Sequence, residues 1–323
     1  MREPPRIADV ELRAGLRDQY GLVPVALAYL PRGHDYQAGV YRVVDERGAA
    51  YLLKVKAAAL YEPGCLVPAY LHAQGIAAVV APVPTLGGAL WTTIGEWTAI
   101  VYPFHDGDTS LTGMTDAHWR EVGSTFRRIH QAPLPQADFA SIRRETFDPA
   151  EYARWVQTFE TQHLNAPMDG SAAERALRTS WQAHQPTIHA GLAVLERLAE
   201  DLRSRPLPLV ICHGDLHAAN LLRDDASHVY VIDWDDVRLA PKERDFIFVR
   251  EPEAAAFWDG YGHHAIDWVA LAYFRWERVI TDAIELARDV SLREDLSEAT
   301  KTELARVFAV MFSADGKNLA AAR

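Results

Sequence analysis

The stretch from Val210 to Asp236 decides how this chain is interpreted, and it reads V-I-C-H-G-D-L-H-A-A-N-L-L-R-D-D-A-S-H-V-Y-V-I-D-W-D-D. An apolar run delivers an H-G-D triplet ending on Asp215 to a turn, and Asn220 follows five residues later. A second apolar run ends on Asp233. Two carboxylates and an amide are therefore predicted to meet at strand ends. Such a set suits chemistry on a nucleotide, since a carboxylate can accept a hydroxyl proton and oxygen ligands can hold magnesium against phosphates.

The order of these residues is a variant of the protein-kinase catalytic loop, with H-G-D-x-x-x-x-N for the first part and D-W-D in place of D-F-G. It predicts Asp215 as the catalytic base and Asn220 and Asp233 as magnesium ligands. Either piece alone could be a tight turn or an acidic loop. A competing interpretation makes His213, Asp215 and His217 the ligands of a metal ion, which requires an extended strand. The helix-favouring A-A-N that follows speaks against that interpretation.

The amino-terminal part is predicted to form an antiparallel meander, with strands at Val25 to Leu30, Val40 to Val44 and Tyr51 to Val55. The loop P-R-G-H-D-Y-Q-A-G joins the first two strands, and its Gly33 and Gly39 could let the backbone pass close to phosphates. The loop lacks the pattern G-x-G-x-x-G, and a plain surface turn would look similar.

Lys54 lies in the middle of the third predicted strand, between apolar residues that would turn its side chain inward. A buried ammonium group needs a partner, and Glu62, near the start of the next predicted helix, could supply it. In a kinase-like lobe this pair positions the phosphates of ATP. The alternative is that Lys54 and Lys56 lie side by side on an exposed strand.

The strand pattern breaks after a hairpin at residues 89–102, and this break is predicted to be a hinge. An adenine ring would meet the backbone near Tyr102 to Phe104. The spacing predicts a first helix over Ile7 to Tyr20 that is capped by Gly21, and helical spacing dominates from Thr115, a predicted helix cap, onward. The segment L-A-P-K-E-R-D-F is predicted to begin another helix. We therefore predict an α+β, protein-kinase-like fold with two lobes. A small antiparallel-sheet lobe would occupy residues 1–104, and a larger, mostly helical lobe with the catalytic and substrate-binding groups would occupy residues 105–323.

Net charge, the lengths of apolar stretches and the number of cysteines limit the partners and the location that are expected for this protein. The formal net charge of -11 argues against a nucleic-acid partner and is compatible with a cationic small molecule. The absence of any long uncharged apolar stretch predicts no membrane partner. Cys65 and Cys212 are the only cysteines and form no disulfide framework, so a reducing cytoplasm is expected.

The motifs together resemble the aminoglycoside phosphotransferase family, and the resemblance covers nearly the whole chain. The segments Y-L-L-K-V-K, V-I-D-W-D and L-A-P-K-E-R-D-F are most similar to members of that family that phosphorylate spectinomycin. The resemblance implies ATP and Mg2+ as cofactors, Lys54 and Glu62 as positioning groups for ATP, and a hydroxyl of an aminocyclitol or aminoglycoside antibiotic as the acceptor. It also implies that Asp245 braces the catalytic loop and that His213 is structural.

A cationic acceptor would need carboxylates and aromatic walls near the catalytic base. The candidates by position are Asp235, Asp236, Trp276 and Glu277. Choline, methylthioribose, homoserine and fructosamine kinases share the catalytic layout, so a metabolic kinase is an alternative function. A nucleotide-binding scaffold without turnover is an alternative from another class.

Overall fold

The computed structural model describes residues 4–31, 38–57, 59–134, 141–164, 170–250, 252–262 and 265–312. Its architecture confirms the predicted α+β kinase-like fold, since an antiparallel sheet precedes a mostly helical part. The strands are β1 Pro24–Leu30, β2 Ala38–Asp45, β3 Ala50–Lys56, β4 Thr92–Ile94, β5 Trp97–Pro103, β6 Gly107–Asp108, β7 Arg143–Arg144, β8 Val210–Cys212, β9 Leu221–Asp224, β10 Val229–Val231 and β11 Arg238–Ala240. The helices are α1 Asp9–Tyr20, α2 Pro63–Ala73, α3 Asp116–Gln131, α4 Ala150–Phe159, α5 Ala172–Arg203, α6 Ala254–Tyr261, α7 Trp268–Leu292 and α8 Glu298–Met311.

The chain divides into two compact units. The first comprises Met1–Arg144 with Leu209–His264, and the second comprises Glu145–Pro208 with Ala265–Arg323. This division differs from the predicted boundary at residues 104 and 105. The physical reason is that the catalytic segment pairs with the amino-terminal part: Val231 N donates to Ala78 O at 2.8 Å, and Val80 N donates to Val231 O at 3.2 Å.

The first unit is built on a five-stranded sheet in the order β1-β2-β3-β5-β4, in which every pair is antiparallel. Alternate residues of the strands face α1, where Leu12 and Leu16 pack with Val43 and Leu53 in one buried cluster. Gly21 ends α1 in the left-handed conformation, with φ 66°, as the sequence predicted. The predicted meander is confirmed, and it places the middle of β3 at the centre of the sheet.

Helices α3 and α6 cross at two glycines in the first unit. A Cβ on Gly123 would overlap the carbonyl oxygen of Phe257, and a Cβ on Gly260 would overlap the carbonyl oxygen of Arg120. Only glycine lets two backbones approach this closely. The crossing sets the positions of His130 at the end of α3 and Tyr261 at the end of α6.

The segment L-A-P-K-E-R-D-F was predicted to begin a helix, and this prediction is wrong. Its first part is β11, in which Leu239 pairs with Ile211 of β8, and a short 3₁₀ turn, Lys242–Phe246, follows. The backbone N–H and C=O groups of β11 form hydrogen bonds with β8, so they cannot form the hydrogen bonds of a helix. Pro241 has no N–H and so cannot continue the pairing of the strands.

The second unit consists of long helices that pack through aromatic side chains and small residues. In α5, Trp181 stacks on Phe308 of α8 with ring centroids 5.5 Å apart. A Cβ on Gly191 of α5 would lie 2.9 Å from the Trp276 ring, so α5 and α7 approach closely at this point. None of the helices within the described ranges has the length and hydrophobicity needed to cross a membrane.

Replacing Gly123 with alanine is expected to lower the free energy of unfolding by about 1–3 kcal/mol, because overpacking forces the backbones apart. The loss should appear even though alanine favours a helix over glycine by about 1 kcal/mol. Chemical denaturation measures it. Gly87→Ala is the matched control, since a Cβ there would meet nothing closer than Thr85 Oγ1 at 3.8 Å. Equal stability of Gly123→Ala and the wild type would contradict the close crossing.

Candidate active site

The catalytic loop leaves β8 through a backbone turn that requires glycine. Gly214 has φ 87°, which side-chain-bearing residues rarely adopt, and a Cβ there would overlap the carbonyl oxygen of Asp236. The turn therefore places Asp215 directly after the strand, close to the segment that carries Asp233 to Asp236.

Asp245 holds this turn through hydrogen bonds to its backbone. Its carboxylate is fully buried and accepts hydrogen bonds from His213 N and Gly214 N, both at 2.9 Å. His130 Nε2 lies 3.1 Å from the same carboxylate, and its Nδ1 lies 2.9 Å from the Tyr261 hydroxyl. The implied role of Asp245 as a brace of the catalytic loop is thus confirmed by its contacts. Because Asp245 accepts hydrogen bonds from two consecutive backbone N–H groups, it fixes the backbone of the loop and not merely one side chain.

Burial by itself would raise the pKa of Asp245, but its hydrogen bond with His130, the nearby histidine charges and the Gly214 N–H lower that pKa below the usual value. A carboxylate that accepts several hydrogen bonds is stabilised in its charged form. The brace is therefore anionic in the folded protein at neutral pH.

Asp215 is oriented by the residues that follow it. Ala219 N donates to His217 Nδ1 at 3.1 Å, and the ring Nε2 lies 3.3 Å from Asp215 Oδ2. Asn220 Nδ2 donates to Asp215 O at 2.8 Å. The Asp215 side chain remains 23% exposed, which leaves it accessible to a hydroxyl group.

Asn220 and Asp233 are brought together by the hairpin of β9 and β10. Ile232 N donates to Asn220 O at 3.1 Å, and the His213 ring Nε2 lies 2.9 Å from Ile232 O. Asp233 then turns away with φ 63°, an uncommon conformation for a residue other than glycine, and its side chain is 49% exposed. Asn220 thus contacts the predicted base, and Asp233 directly follows the residue whose backbone pairs with Asn220.

The competing interpretation of His213, Asp215 and His217 as metal ligands does not fit these contacts. Both nitrogens of the buried His213 ring have backbone neighbours, Asp215 N at 3.3 Å and Ile232 O at 2.9 Å. His213 is therefore structural, as the resemblance implied.

Lys54 lies at the centre of the sheet, opposite Val40 of β2 and Ile100 of β5, and is only 8% exposed. Its ammonium group lies 2.8 Å from Asp233 Oδ1 and 2.8 Å from Asp235 Oδ2. Burial would lower the pKa of Lys54, but the two carboxylates raise it well above its usual value. The lysine therefore points into the site and stays charged.

The expected partner of Lys54 was Glu62, and the structure corrects this. Among the described residues, Lys54 forms its ion pairs with Asp233 and Asp235, whereas Glu62 is exposed at the amino-terminal end of α2. Pro63 occupies the first turn of α2, and Glu62 is the N-cap residue that precedes it.

The remaining nucleotide-binding candidates lie around the sheet. Tyr102 is half-buried in β5, and Phe104 follows the strand, with its N–H donated to Ala50 O at 3.2 Å and its ring 5.0 Å from the Arg42 guanidinium carbon. Gly39 lies within β2 opposite Val55, and a Cβ there would overlap Pro5. Gly33 lies outside the described residues.

The acceptor candidates are not equivalent. Asp236 Oδ1 lies 3.4 Å from Arg143 Nη1 and 3.5 Å from Arg238 Nη2, so its charge is already balanced by cations. In the second unit, Trp276 is 8% exposed and Glu277 is 5% exposed, and Glu277 Oε1 accepts a hydrogen bond from the Tyr152 hydroxyl at 3.0 Å. Their contact with an acceptor stays a prediction.

The sequence did not predict the contacts of two residues near the site, Lys56 and His217. Lys56 was treated only as part of an exposed strand, yet its ammonium lies 2.7 Å from Asp235 Oδ2. His217 was considered only as a metal ligand, yet its ring contacts the carboxylate of Asp215, the predicted base. The spacing of Lys54 and Lys56 was the available signal for the first, because alternate residues of a strand share one face.

Replacing Asp245 with asparagine is expected to lower the free energy of unfolding by about 3 kcal/mol at neutral pH, the scale for breaking a buried charged partnership. Because the folded pKa of Asp245 is depressed, its contribution is present above the unfolded value of about 3.9 and is lost as pH falls through the folded value. The difference between wild type and variant should therefore shrink below about pH 4.

Urea unfolding monitored across this pH range measures that difference. Asp259→Asn is the control, because Asp259 pairs with Arg120 at the surface and is 67% exposed. A gap between Asp245→Asn and wild type that is independent of pH would show that the carboxylate charge is not what braces the loop.

Comparison with known proteins confirms the resemblance inferred from the motifs. The model of the phosphotransferase enzyme family matches residues 29–278. A search of curated protein sequences found no match. The crystal structure of spectinomycin phosphotransferase, APH(9)-Ia, in complex with ADP and spectinomycin has a TM-score of 0.87 and 25% identity, with 98% of each chain covered.

More distant structures share the fold. Amicoumacin kinase hAmiN, in complex with AMP-PNP, Ca2+ and Ami, has a TM-score of 0.61 and 15% identity, with 95% of this chain and 93% of that chain covered. A choline/ethanolamine kinase family protein from Mesorhizobium loti has a TM-score of 0.52 and 16% identity, with 97% and 98% covered. Since the family match spans most of the sequence and contains the whole catalytic segment, the chain belongs to the phosphotransferase enzyme family and is an ATP-dependent phosphotransferase.

Proposed function

We propose that the protein transfers the γ-phosphoryl group of ATP to a hydroxyl of an aminocyclitol antibiotic, spectinomycin, and so confers resistance to it. The observation that carries the proposal is the grouping of Lys54, Asp215, Asn220 and Asp233 in one compact unit, in the order of a kinase site. The likeness to spectinomycin phosphotransferase over 98% of both chains supports the choice of acceptor.

Asp215 is the general base in this proposal. Its carboxylate accepts the proton of the acceptor hydroxyl while that oxygen bonds to the γ-phosphorus and the bond to the leaving ADP oxygen breaks. His217 and the backbone turn at Gly214 hold the carboxylate in place. The partial exposure of Asp215 gives the acceptor access to the base.

Asn220 and Asp233 fit a magnesium ion by their chemistry. Mg2+ prefers oxygen ligands, and the Asn220 amide nitrogen already donates to Asp215 O, which leaves the amide oxygen as the coordinating end. Asp233 presents a half-exposed carboxylate that also contacts Lys54. A bound magnesium ion would neutralise charge on the phosphates.

The nucleotide is assigned to the first unit. Lys54 would contact its phosphates, Gly33 and Gly39 would allow a close approach, and the backbone of Tyr102 to Phe104 would meet the adenine. The cytoplasm is the proposed location, because it supplies ATP and because the two free cysteines, both buried, suit reducing conditions.

The acceptor is proposed to be cationic, which agrees with the net charge of -11. Asp236 is the proposed acceptor contact in the first unit, where Arg143 and Arg238 also lie beside its carboxylate.

The proposal is tested by incubating the purified protein with magnesium-ATP and a panel of acceptors: spectinomycin, kanamycin-type and streptomycin-type aminoglycosides, choline and methylthioribose. ADP release and mass spectrometry of each acceptor measure the transfer. A mass gain of one phosphate on spectinomycin alone is the expected result. Transfer to choline or methylthioribose alone would replace the antibiotic by a metabolite, and bound ATP with no transfer to any acceptor would favour the scaffold.

Replacing Asp215 with alanine is expected to lower kcat at least about 10²-fold, because a positioned general base contributes at least that factor. Binding of magnesium-ATP, measured by calorimetry, should persist. Asp225→Ala is the matched control, since Asp225 is an exposed aspartate in the turn of the neighbouring hairpin. An Asp215→Ala variant with the turnover of wild type would eliminate Asp215 as the base.

A further inference from the structure

We infer that Asp235 is the positioning residue that holds the ATP lysine, Lys54, and that Lys56 holds Asp235 in turn. The sequence had assigned the first task to Glu62 and had made Asp235 a contact of the acceptor. The inference rests on the proposed function, since a fixed Lys54 matters only where ATP is used.

One carboxylate oxygen lies between two ammonium groups. Asp235 Oδ2 is 2.8 Å from Lys54 Nζ and 2.7 Å from Lys56 Nζ. The side chains of Lys54, Lys56 and Asp235 are 10%, 15% and 30% exposed, so solvent and salt screen these pairs far less than surface pairs. The lysines are alternate residues of β3 and project from the same face, which is why one acid reaches both.

The start of α2 is packed against the segment that carries Asp235. A Cβ on Gly64 would lie 3.2 Å from Trp234 O and 3.4 Å from Asp235 Cα, and the Tyr61 hydroxyl donates to Val237 O at 2.9 Å. The backbone of this segment therefore occupies the space beside the first turn of α2. The loop, and not the helix, supplies the carboxylate that meets Lys54.

Asp233 also contacts Lys54, but it is the less suitable anchor. It is the proposed magnesium ligand, and its side chain is 49% exposed against 30% for Asp235. Asp235 is not a proposed metal ligand, so its contact with Lys54 does not compete with magnesium binding and can persist throughout turnover.

The balance of charge among the two lysines and two aspartates predicts how a variant of Asp235 without its charge should behave. Lys54 and Lys56 together match the charges of Asp233 and Asp235. Removing the charge of Asp235 leaves an excess of positive charge, so attraction for the ATP phosphates persists while the position of Lys54 is lost. We therefore expect a loss of turnover without a loss of nucleotide affinity.

The test is Asp235→Asn, assayed with magnesium-ATP and the acceptor that the panel identifies. We expect kcat to fall by about 10-fold or more, as for misplaced catalytic groups. The Kd for magnesium-ATP, measured by calorimetry without acceptor, should not weaken, and the KM for the acceptor should not change. Asp235→Glu should recover part of kcat, because it restores the charge, while the surface variant Asp259→Asn should match wild type.

Lys56→Met provides a second variant that leaves Asp235 in place, with Lys56→Arg as its charge-preserving control. In a double-mutant cycle with Asp235→Asn, the combined loss of kcat should be smaller than the product of the single losses, since the two residues act through one contact. Independent, multiplicative losses would overturn the inference. A raised acceptor KM with unchanged kcat in Asp235→Asn would also overturn it, by making Asp235 an acceptor contact.

The outcomes separate this inference from the proposed function. Wild-type protein that neither binds magnesium-ATP nor phosphorylates any acceptor would overturn both. Wild-type protein that transfers phosphate, with an Asp235→Asn variant of equal kcat, would overturn only the role of Asp235. Thermal unfolding of each variant distinguishes a lost contact from a lost fold.

Discussion

The buried carboxylate of Asp245 is the constraint on which the site depends. It accepts the N–H groups of His213 and Gly214, which belong to a turn that sheet pairing cannot satisfy. An unpaired N–H in this buried position would cost about 1–3 kcal/mol. The helix crossing at Gly123 places His130 where it can hold Asp245. The close backbone contact between α3 and α6 thereby helps to fix the turn that carries Asp215, the proposed base.

The cations and other groups beside each carboxylate of the site form a second constraint. Asp215 contacts His217 and keeps partial access to solvent, whereas Asp233 and Asp235 contact two lysines of the central strand. Identical carboxylates thus differ in role because their neighbours differ. The loop that carries D-W-D-D presents one acid to the lysines and another, Asp236, to two arginines.

Much of the fold was predictable from the spacing of apolar residues and from the residues that begin or end helices and turns. The meander of β1 to β3, the glycine cap of α1 and the Thr115 cap of α3 all lie where local patterns predicted them. The motifs of residues 210–236 also predicted that Asn220 lies near Asp215, and Asn220 Nδ2 donates to Asp215 O. The segment after Asp236 was misjudged, because its helix-like composition was overridden by pairing with β8. The partner of Lys54 was misjudged for a similar reason, since an ion pair depends on which chain segment fills the space beside a helix.

The sequence by itself determined the residue types and their order: a base, two oxygen donors and a strand lysine, each at the end or centre of a predictable element. Only the tertiary structure decided which acid meets which cation. Asp235 and Lys54 are separated by 181 positions, and their contact arises from the packing of α2 against the D-W-D-D loop. Local propensity acts over a few residues, whereas the pairing of buried charges is decided by long-range packing, because each charge must find a partner within hydrogen-bond distance once water is excluded.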